Sequence, residues 1–354
     1  MKRFLLSIWF LTVTSIAYAQ IKEVIIPGSQ VRTITSSIVK GQEYELHILL
    51  PGSYHHSTKK YPVVYLMDSQ WDFPLVKSLY GQQYYDGFIP ELIIVGITWG
   101  GPRPKPDSLR VRDYTPTREE RLPQSGGADN FLSFMKSELF PFIETNYRAE
   151  NNNRTVMGCS LGGLITLYAL FKEPGLFKNY VAASPAFGWD REVIYQFEKK
   201  FSDQKPGTRL FMTMGGVEQG LSGYKKLDQY LAARNYTNLK IGSKVLENTG
   251  HSGTKAEGFS RGLQFVFKRS EIPLSLSVLR KYTGMYTLSN GSTVELKVEN
   301  EKLILYAGEG NRFELLAENE QDFYSLAMFL NIHMTETGFQ LNRYNNTQVA
   351  TKIK

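Results

Sequence analysis

The sequence predicts an α/β domain built on a mostly parallel sheet, followed by a small, mainly antiparallel β domain. Two unbroken apolar runs, at residues 61–67 and 91–97, are typical of strands buried on both faces of a parallel sheet, and a helix-length segment separates them. From residue 278 the chain changes to short β-like runs divided by turns. We therefore expect one domain over residues 20–271 and a second over residues 272–354, with the change at Ile272-Pro273.

Composition agrees with this division and limits the classes of partner. A chain of 354 residues is long enough for one large domain and a small one, and its 42% hydrophobic content allows a sizeable core. The net charge of +7 is not concentrated in any Lys/Arg tract. Because such tracts are typical of nucleic-acid and anionic-membrane surfaces, we expect no nucleic-acid partner.

The first 19 residues have the pattern of a signal peptide. A charged start at Lys2 and Arg3 precedes an apolar stretch, which ends at the small-x-small site Ala17-Tyr18-Ala19. The stretch is too short for a comfortable membrane span. We expect an exported bacterial protein, periplasmic or secreted, without a membrane span, and its single cysteine, Cys159, excludes an internal disulfide.

The remaining elements of the first domain follow from periodicity and turn residues. Residues 30–50 alternate as two antiparallel strands joined near Gly41, and residues 128–147 have helical spacing that Pro141 should kink or end. Further strands are expected near residues 154–159, 180–185, 209–215 and 239–246, and further helices at residues 162–172, 224–234 and 258–268.

Residues 99–127 interrupt this pattern. Five prolines and glycines in the first eight residues exclude a helix or a central strand there, and we expect a long loop without regular structure. The segment holds six Lys/Arg against four acidic residues. Loops of this length in compact domains are usually functional, although a plain surface loop is the alternative.

The pentapeptide Gly158-Cys159-Ser160-Leu161-Gly162 has the G-x-S-x-G pattern. A short apolar strand precedes it and a helical sequence follows it. A turn that joins a strand directly to a helix forces its central residue into a strained conformation with the side chain exposed. We therefore predict Ser160 as a nucleophile and Cys159 as a small buried hydrophobe.

A serine nucleophile needs a base, and the base needs a third group to orient it. Two histidines follow Ser160, and His333 lies in the predicted β domain, which leaves His251 in a glycine-rich loop after a strand. The acid should follow a strand between the serine and the histidine. Glu218 is the preferred candidate and Asp190 is the alternative.

The oxyanion of acyl transfer requires two backbone N–H donors. One should come from Leu161, and the other from the loop at Ser69, Gln70 or Trp71, which follows the first apolar strand. We expect Trp71 and Arg112 to bind the substrate. The sequence suggests neither a metal nor a cofactor.

With these motifs in view, residues 40–268 resemble the esterase D or enterochelin-esterase-like branch of the α/β-hydrolases. Besides the elbow, the resemblance rests on Tyr61-Pro-Val-Val-Tyr-Leu-Met-Asp68, Arg112-Asp-Tyr-Thr-Pro116, Gly126-Gly-Ala128, Ser184-Pro185 and Gly250-His251. It implies the α/β-hydrolase fold and a Ser–acid–His hydrolase without metal or nucleotide. Members of this branch act on siderophore esters, on acetyl or feruloyl esters of plant polysaccharides, or on S-formylglutathione. The chain departs from many of them at Asp68-Ser69, where they carry Asp-Gly.

The expected function is an exported serine carboxylic-ester hydrolase that works through an acyl-enzyme. We favour acetyl or feruloyl polysaccharide esters, or other small acyl esters, because the arginines of residues 99–127 alternate with acids. The substrate would then be a small-molecule or oligosaccharide ester. The alternatives are a siderophore esterase of the enterochelin type, an acyltransferase, and a non-catalytic binding protein on a hydrolase scaffold.

Overall fold

A computed structural model describes residues 25–353 except residues 204, 309, 327 and 345. The predicted signal peptide, residues 1–19, lies outside this range. The chain forms an eight-stranded sheet with helices on both faces, followed by a closed eight-stranded barrel. The predicted fold class is confirmed: an α/β-hydrolase fold with a separate antiparallel β domain.

The sheet has the strand order β1-β2-β4-β3-β5-β6-β7-β8. Strands β3 to β8 run parallel, whereas β1 and β2 form an antiparallel hairpin on one edge. Strands β3 and β4 are buried along their whole length, as their unbroken apolar runs predict. The strands are β1 Ser29–Thr35, β2 Glu43–Leu49, β3 Tyr61–Leu66, β4 Ile93–Trp99, β5 Ala149–Cys159, β6 Asn179–Ala183, β7 Thr208–Gly215 and β8 Leu239–Leu246.

Helices cover the sheet on both faces, each over its own apolar core. One core packs α1 and α9 against the sheet, and the other packs α3, α4, α5, α7 and α8. The helices are α1 Ser69–Tyr85, α2 Pro106–Tyr114, α3 Ala128–Phe134, α4 Phe140–Asn146, α5 Leu161–Lys172, α6 Trp189–Glu192, α7 Ile194–Glu198, α8 Leu221–Ala233, α9 Thr254–Val266 and α10 Leu276–Lys281.

Two segments expected to be loops contain helix. The prediction that residues 99–127 lack regular structure was wrong, because α2 begins at Pro106. Proline is well tolerated in the first helical turn, where its missing N–H is not needed. The segment is anchored by the buried Asp113, whose carboxylate accepts hydrogen bonds from Tyr44 Oη at 2.8 Å and from Trp99 Nε1 at 2.7 Å. Similarly, α1 begins at Ser69, so residues 69–71 form the first turn of a helix.

The helical segment before β5 changes its hydrogen-bonding pattern just before its proline and continues past it, where the sequence predicts a kink or an end. A π-helical turn, Met135–Leu139, joins α3 to α4 just before Pro141. Proline has no N–H to donate and its ring clashes with the carbonyl four residues earlier. A wider turn at this point lets the helix continue past it.

The second domain is a closed barrel of eight antiparallel strands. The sequence predicted a small antiparallel β domain but not a closed barrel. Its interior is apolar, and Leu279 of α10 packs into this core. Five β-like runs were predicted, and β12, β14 and β16 were not separated from loops or neighbouring strands. The strands are β9 Gly284–Leu288, β10 Thr293–Glu299, β11 Lys302–Tyr306, β12 Arg312–Ala317, β13 Asp322–Ser325, β14 Leu330–Met334, β15 Gly338–Arg343 and β16 Asn346–Lys352.

Among the described residues, the barrel contacts the first domain around Arg269 and at the carboxyl end of α1. Arg269 forms a bidentate pair with Glu318, at 2.8 and 2.6 Å, and its guanidinium lies 4.0 Å from the ring centre of Tyr324. At the carboxyl end of α1, Tyr85 stacks on Tyr344 with ring centres 5.2 Å apart. The predicted boundary at residues 271–272 falls in the segment between α9 and α10.

Candidate active site

The predicted site residues gather at the carboxyl edge of the parallel strands. Strands β3 and β5 are neighbours in the sheet, and the chain leaves their ends in opposite directions along the strand order. In open α/β sheets, ligands bind in the crevice that such a reversal creates. Asp68 follows β3 and Ser160 follows β5, so both lie at this crevice.

Ser160 joins β5 to α5 in a single residue. Its φ of 61° and ψ of −119° lie outside the regions that L-residues prefer. The backbone around it holds this conformation: Ser160 N–H donates to the carbonyl of Ala183 at 3.1 Å, and Ser160 C=O accepts from Leu164 and Ala186, each at 2.9 Å. The strained turn is the nucleophile elbow that the pentapeptide predicts.

A glycine at position 158 is required by how tightly the elbow turns. A Cβ atom on Gly158 would lie 2.5 Å from the carbonyl oxygen of Gly162. The atoms that it would meet on Gly162 all belong to the backbone, so they cannot move aside without opening the turn. Any larger residue at this position would therefore displace Ser160.

Glu218, which follows β7, accepts three hydrogen bonds. Its Oε1 accepts from Ser184 Oγ at 2.6 Å and from the N–H of Gly215 at 2.7 Å, and its Oε2 lies 2.6 Å from His251 Nδ1. Burial acts to raise the pKa of Glu218, but these donors outweigh it and hold the pKa below its usual value. The carboxylate is therefore ionised and fixed in position at neutral pH.

Asp190, the alternative acid, is placed differently. It lies in the short turn α6, where its φ is 43°, and within residues 25–353 as described its side chain makes no hydrogen bond to His251. The geometry brings Glu218 to His251 instead.

His251 lies in the loop between β8 and α9, and its side chain is half exposed. The contact with Glu218 engages Nδ1, which leaves Nε2 for a proton from another group. The backbone of the loop is held as well, because Thr254 Oγ1 donates to the carbonyl of His251 at 2.7 Å.

Ser184 and Thr254 are polar residues of the site to which the sequence analysis gave no role. Ser184 is 1% exposed, donates to Glu218 and lies 2.8 Å from Thr254 Oγ1. It therefore links the acid to the histidine loop. Its position directly after β6, at the same edge as the other site residues, is the signal that could have identified it.

Three backbone N–H groups are available at the crevice. Leu161 begins α5, and Ser69 and Gln70 begin α1. Within the described part of the chain these three N–H groups have no acceptor, whereas the N–H of Trp71 donates to Asp68 C=O at 3.0 Å. First-turn N–H groups carry the positive end of the helix dipole, so they favour a developing negative charge. Of the predicted oxyanion donors, Ser69 and Gln70 fit better than Trp71.

Two paired cations lie beside these N–H groups. The buried Asp68 binds Arg110 in a bidentate pair at 2.9 and 2.8 Å, and the buried Asp72 binds Lys255 at 2.7 Å. Burial raises the pKa of both carboxyls, and their basic partners oppose that shift. The Arg110 guanidinium also lies 5.6 Å from the ring centre of Trp71, which is 49% exposed.

Arg112, which we expect to bind the substrate, is held by protein partners. Its guanidinium pairs with Asp113 at 2.7 and 3.0 Å and with Gln42 Oε1 at 3.1 Å, so it braces α2 against the sheet. The arginine that pairs with Asp68 beside the crevice is Arg110, two residues earlier and so on a different side of the same helix. That Arg112 binds the substrate stays a prediction.

Cys159 has the environment predicted for it. It is 2% exposed, and burial raises the pKa of its thiol to about 12. A thiol that stays protonated in this way is not a nucleophile at neutral pH.

The residues that the structure describes contain no group of three or more His, Cys, Asp or Glu side chains that could hold a metal ion. No helix among them combines the length and the apolar character that crossing a bilayer requires.

A strained serine, a histidine and a carboxylate at the carboxyl edge of a parallel sheet define the serine-hydrolase class of the α/β-hydrolase fold. The sequence profile described as "Putative esterase" matches residues 36–254. The chain therefore belongs to this esterase family, and its place near the enterochelin-esterase-like members is confirmed by the relatives below.

A ferri-bacillibactin esterase from Bacillus subtilis is 33% identical over 182 residues, which are 48% of this chain and 62% of the relative. The chain thus spans about three fifths of that relative's length. A crystal structure of the BES protein from Bacillus cereus matches with a TM-score of 0.62 and 28% identity, over 69% of this chain and 97% of that one. An IroE-like serine hydrolase from Shewanella oneidensis matches with a TM-score of 0.60 and 27% identity, over 72% and 85%.

Proposed function

We propose that this protein hydrolyses carboxylic esters with Ser160 as nucleophile, His251 as general base and Glu218 as the acid that orients it. The observation that carries the proposal is the 2.6 Å contact from Glu218 Oε2 to His251 Nδ1, combined with the strained turn at Ser160. Family membership supports the same reaction class.

The reaction would proceed in two halves. Ser160 Oγ attacks the ester carbonyl while His251 Nε2 accepts its proton, and Glu218 stabilises the resulting imidazolium through Nδ1–H. The N–H of Leu161, with that of Ser69 or Gln70, would bind the oxyanion. As the tetrahedral intermediate collapses, His251 returns the proton to the departing alcohol. Water, deprotonated by His251, then releases the acid from the acyl-enzyme.

We propose a siderophore ester as the substrate. Similarity to a ferri-bacillibactin esterase favours it over the acetyl and feruloyl polysaccharide esters preferred from the sequence alone. The site offers features that suit an anionic, aromatic ligand: the cations Arg110 and Lys255, and the half-exposed ring of Trp71. Both cations are already paired with buried carboxylates. The ligand would therefore share each cation with its carboxylate and would not meet an uncompensated positive charge.

Export remains part of the proposal. Residues 1–19 would be removed after Ala19, and the mature enzyme would act in the periplasm or outside the cell. Mass spectrometry of the protein isolated from its natural host should then give an N-terminus at Gln20; retention of residues 1–19 would contradict export.

The substrate can be tested by comparing kcat/KM for a tricatecholate trilactone, with and without iron, against acetylated xylan and methyl ferulate. We expect hydrolysis of the trilactone, and a loss of at least about 10⁴-fold in Ser160→Ala. Cys159→Ala, next to it on the elbow, is the matched control and should retain activity. Preference for either polysaccharide-type ester would overturn the siderophore proposal and leave ester hydrolysis standing.

Two further outcomes separate the remaining alternatives. Transfer of the acyl group to an added alcohol, in preference to water, would make the protein an acyltransferase with the same three residues. Failure of a fluorophosphonate probe to label Ser160 would favour a non-catalytic binding protein.

A further inference from the structure

The barrel domain has an open cavity that esterase chemistry does not explain. It has a volume of about 560 Å³ and lies at one end of the barrel, lined by Leu288, Val294, Leu305, Phe313, Leu330 and Leu341. At the other end, Leu279 of α10 and Phe323 belong to the apolar core, and they also line a smaller cavity of about 370 Å³.

The volume is in the range that proteins use to bind small molecules. Ligand pockets measure roughly 300–1,000 Å³, and small barrels of this strand number can hold one small ligand. Leu305 and Val294 in its wall are 1% and 3% exposed, so the inner part of the cavity borders the packed apolar core. An apolar body of about ten to fifteen carbons would fit this space.

Polar groups are confined to the rim. Asn290, Asn346 and Gln348 bring side-chain amides to the opening, and Arg343 is the charged residue among the described residues that line the cavity. Gln348 Oε1 is buried and has no hydrogen-bond partner within the described part of the chain. A buried polar atom without a partner is costly, and a ligand hydroxyl or carboxyl group would relieve that cost.

We propose that the barrel binds a monocarboxylic acid with an apolar chain. The chain would fill the cavity, and the carboxylate would lie at the rim against the Arg343 guanidinium and the amide groups. Arginine suits this role because its planar fork matches a carboxylate. The proposal is independent of the reaction at Ser160.

The test is equilibrium binding of dodecanoic acid to the full-length protein, followed by displacement of a fluorescent fatty-acid probe. We expect saturable binding of one molecule per chain, and dodecan-1-ol at least about tenfold weaker because it lacks the charge. Absence of binding would overturn the proposal. An alcohol that binds as tightly as the acid would overturn the assignment of an anionic head group.

Variants then locate the site. Leu341→Trp places a large side chain in the opening and should abolish binding, whereas Val349→Trp should not. Val349 is 53% exposed on the outer face of the adjacent strand β16, one residue from Gln348, which makes it a matched control. Arg343→Gln should weaken the acid about tenfold and leave the alcohol unchanged.

Two further measurements keep the result interpretable. Circular dichroism and the melting temperature report whether each variant folds, and hydrolysis of p-nitrophenyl acetate should be unchanged in the barrel variants. If Leu341→Trp and Arg343→Gln both bind dodecanoic acid normally, the ligand lies elsewhere and the proposal fails.

Discussion

The carboxyl edge of the parallel sheet and the open end of the barrel are built by different means. At the sheet edge, the backbone is strained at Ser160 and nearly every polar atom of Glu218 is hydrogen-bonded. At the barrel opening, the strands are regular and the feature is a volume that side chains leave unfilled. Chemistry at the first site depends on fixed positions of a few atoms, whereas binding at the second depends on space and on a charged rim.

The largest effect is expected from a change that disturbs one fixed group at the sheet edge. Glu218→Gln keeps the shape of the side chain but reverses its role toward His251, because an amide can donate where the carboxylate only accepts. We expect kcat/KM for p-nitrophenyl acetate to fall about 10³–10⁴-fold. Asp190→Asn is the control and should stay within about twofold of the parent; a large loss there would return Asp190 to consideration as the acid.

The second prediction asks whether the barrel can lose stability without affecting the sheet edge. Leu296, fully buried in the barrel core, is changed to Ala, which should lower the barrel's free energy of unfolding by about 2–5 kcal/mol. Urea unfolding followed by far-ultraviolet circular dichroism measures the change. The neighbouring Lys297→Ala, half exposed, should have little effect.

The esterase activity of Leu296→Ala should match that of the parent protein when both are measured at urea concentrations well below the unfolding midpoint of the variant. A parallel fall in kcat would mean that the sheet edge depends on the barrel, and the two regions would then form one functional unit.

A third prediction concerns the two adjacent residues of the elbow, one with its side chain free and one buried. Iodoacetamide at pH 8 should alkylate Cys159 at least about 100-fold more slowly in the native protein than in urea. Because burial raises the pKa of Cys159 to about 12, the unfolded chain ionises first as pH rises. The free energy of unfolding should therefore decrease above about pH 9. Fast alkylation of the native protein would show that the elbow opens.

The smallest expected effect is at Ser184, which we regard as a positioning residue. Ser184→Ala removes one of three donors to Glu218, and kcat should fall about tenfold, since a hydrogen bond to a charged group contributes roughly 1.5–3 kcal/mol. With fewer donors the pKa of Glu218 rises. As the pH is lowered, the variant should therefore lose activity at a higher pH than the parent does. A pH profile checks this, with Ser252→Ala, exposed in the loop that carries His251, as control. A lower kcat with an unchanged profile would indicate a structural role only.

The sequence predicted those parts of the molecule that local chemistry determines. The elbow at Ser160 follows from five residues, and the strands β3 and β4 follow from their apolar runs. His251 followed from elimination, because one histidine after Ser160 lay outside the barrel. In each case the signal lies in a short stretch of chain.

Parts that depend on distant contacts were predicted less well. The sequence singled out Arg112 and gave no role to Arg110, because nothing local shows which of two arginines on one helix faces Asp68 and which faces Asp113. Ser184 acquires its role from Glu218, which is 34 residues away. Three barrel strands were missed because their register is set by neighbouring strands, and no short pattern marks a cavity formed by eight of them.

Helix α1 connects the two regions. Its first residues, Ser69 and Gln70, bring to the crevice N–H groups that have no acceptor among the described residues. Its last residue, Tyr85, stacks on Tyr344 beside the barrel opening. Tyr344 also donates its hydroxyl hydrogen to the carbonyl of Tyr85 at 2.8 Å. With 17 residues, α1 is a rod of about 25 Å. If the barrel tilts and the contact between Tyr85 and Tyr344 persists, α1 must move with it. The N–H groups of its first turn, proposed to bind the oxyanion, would then shift as well.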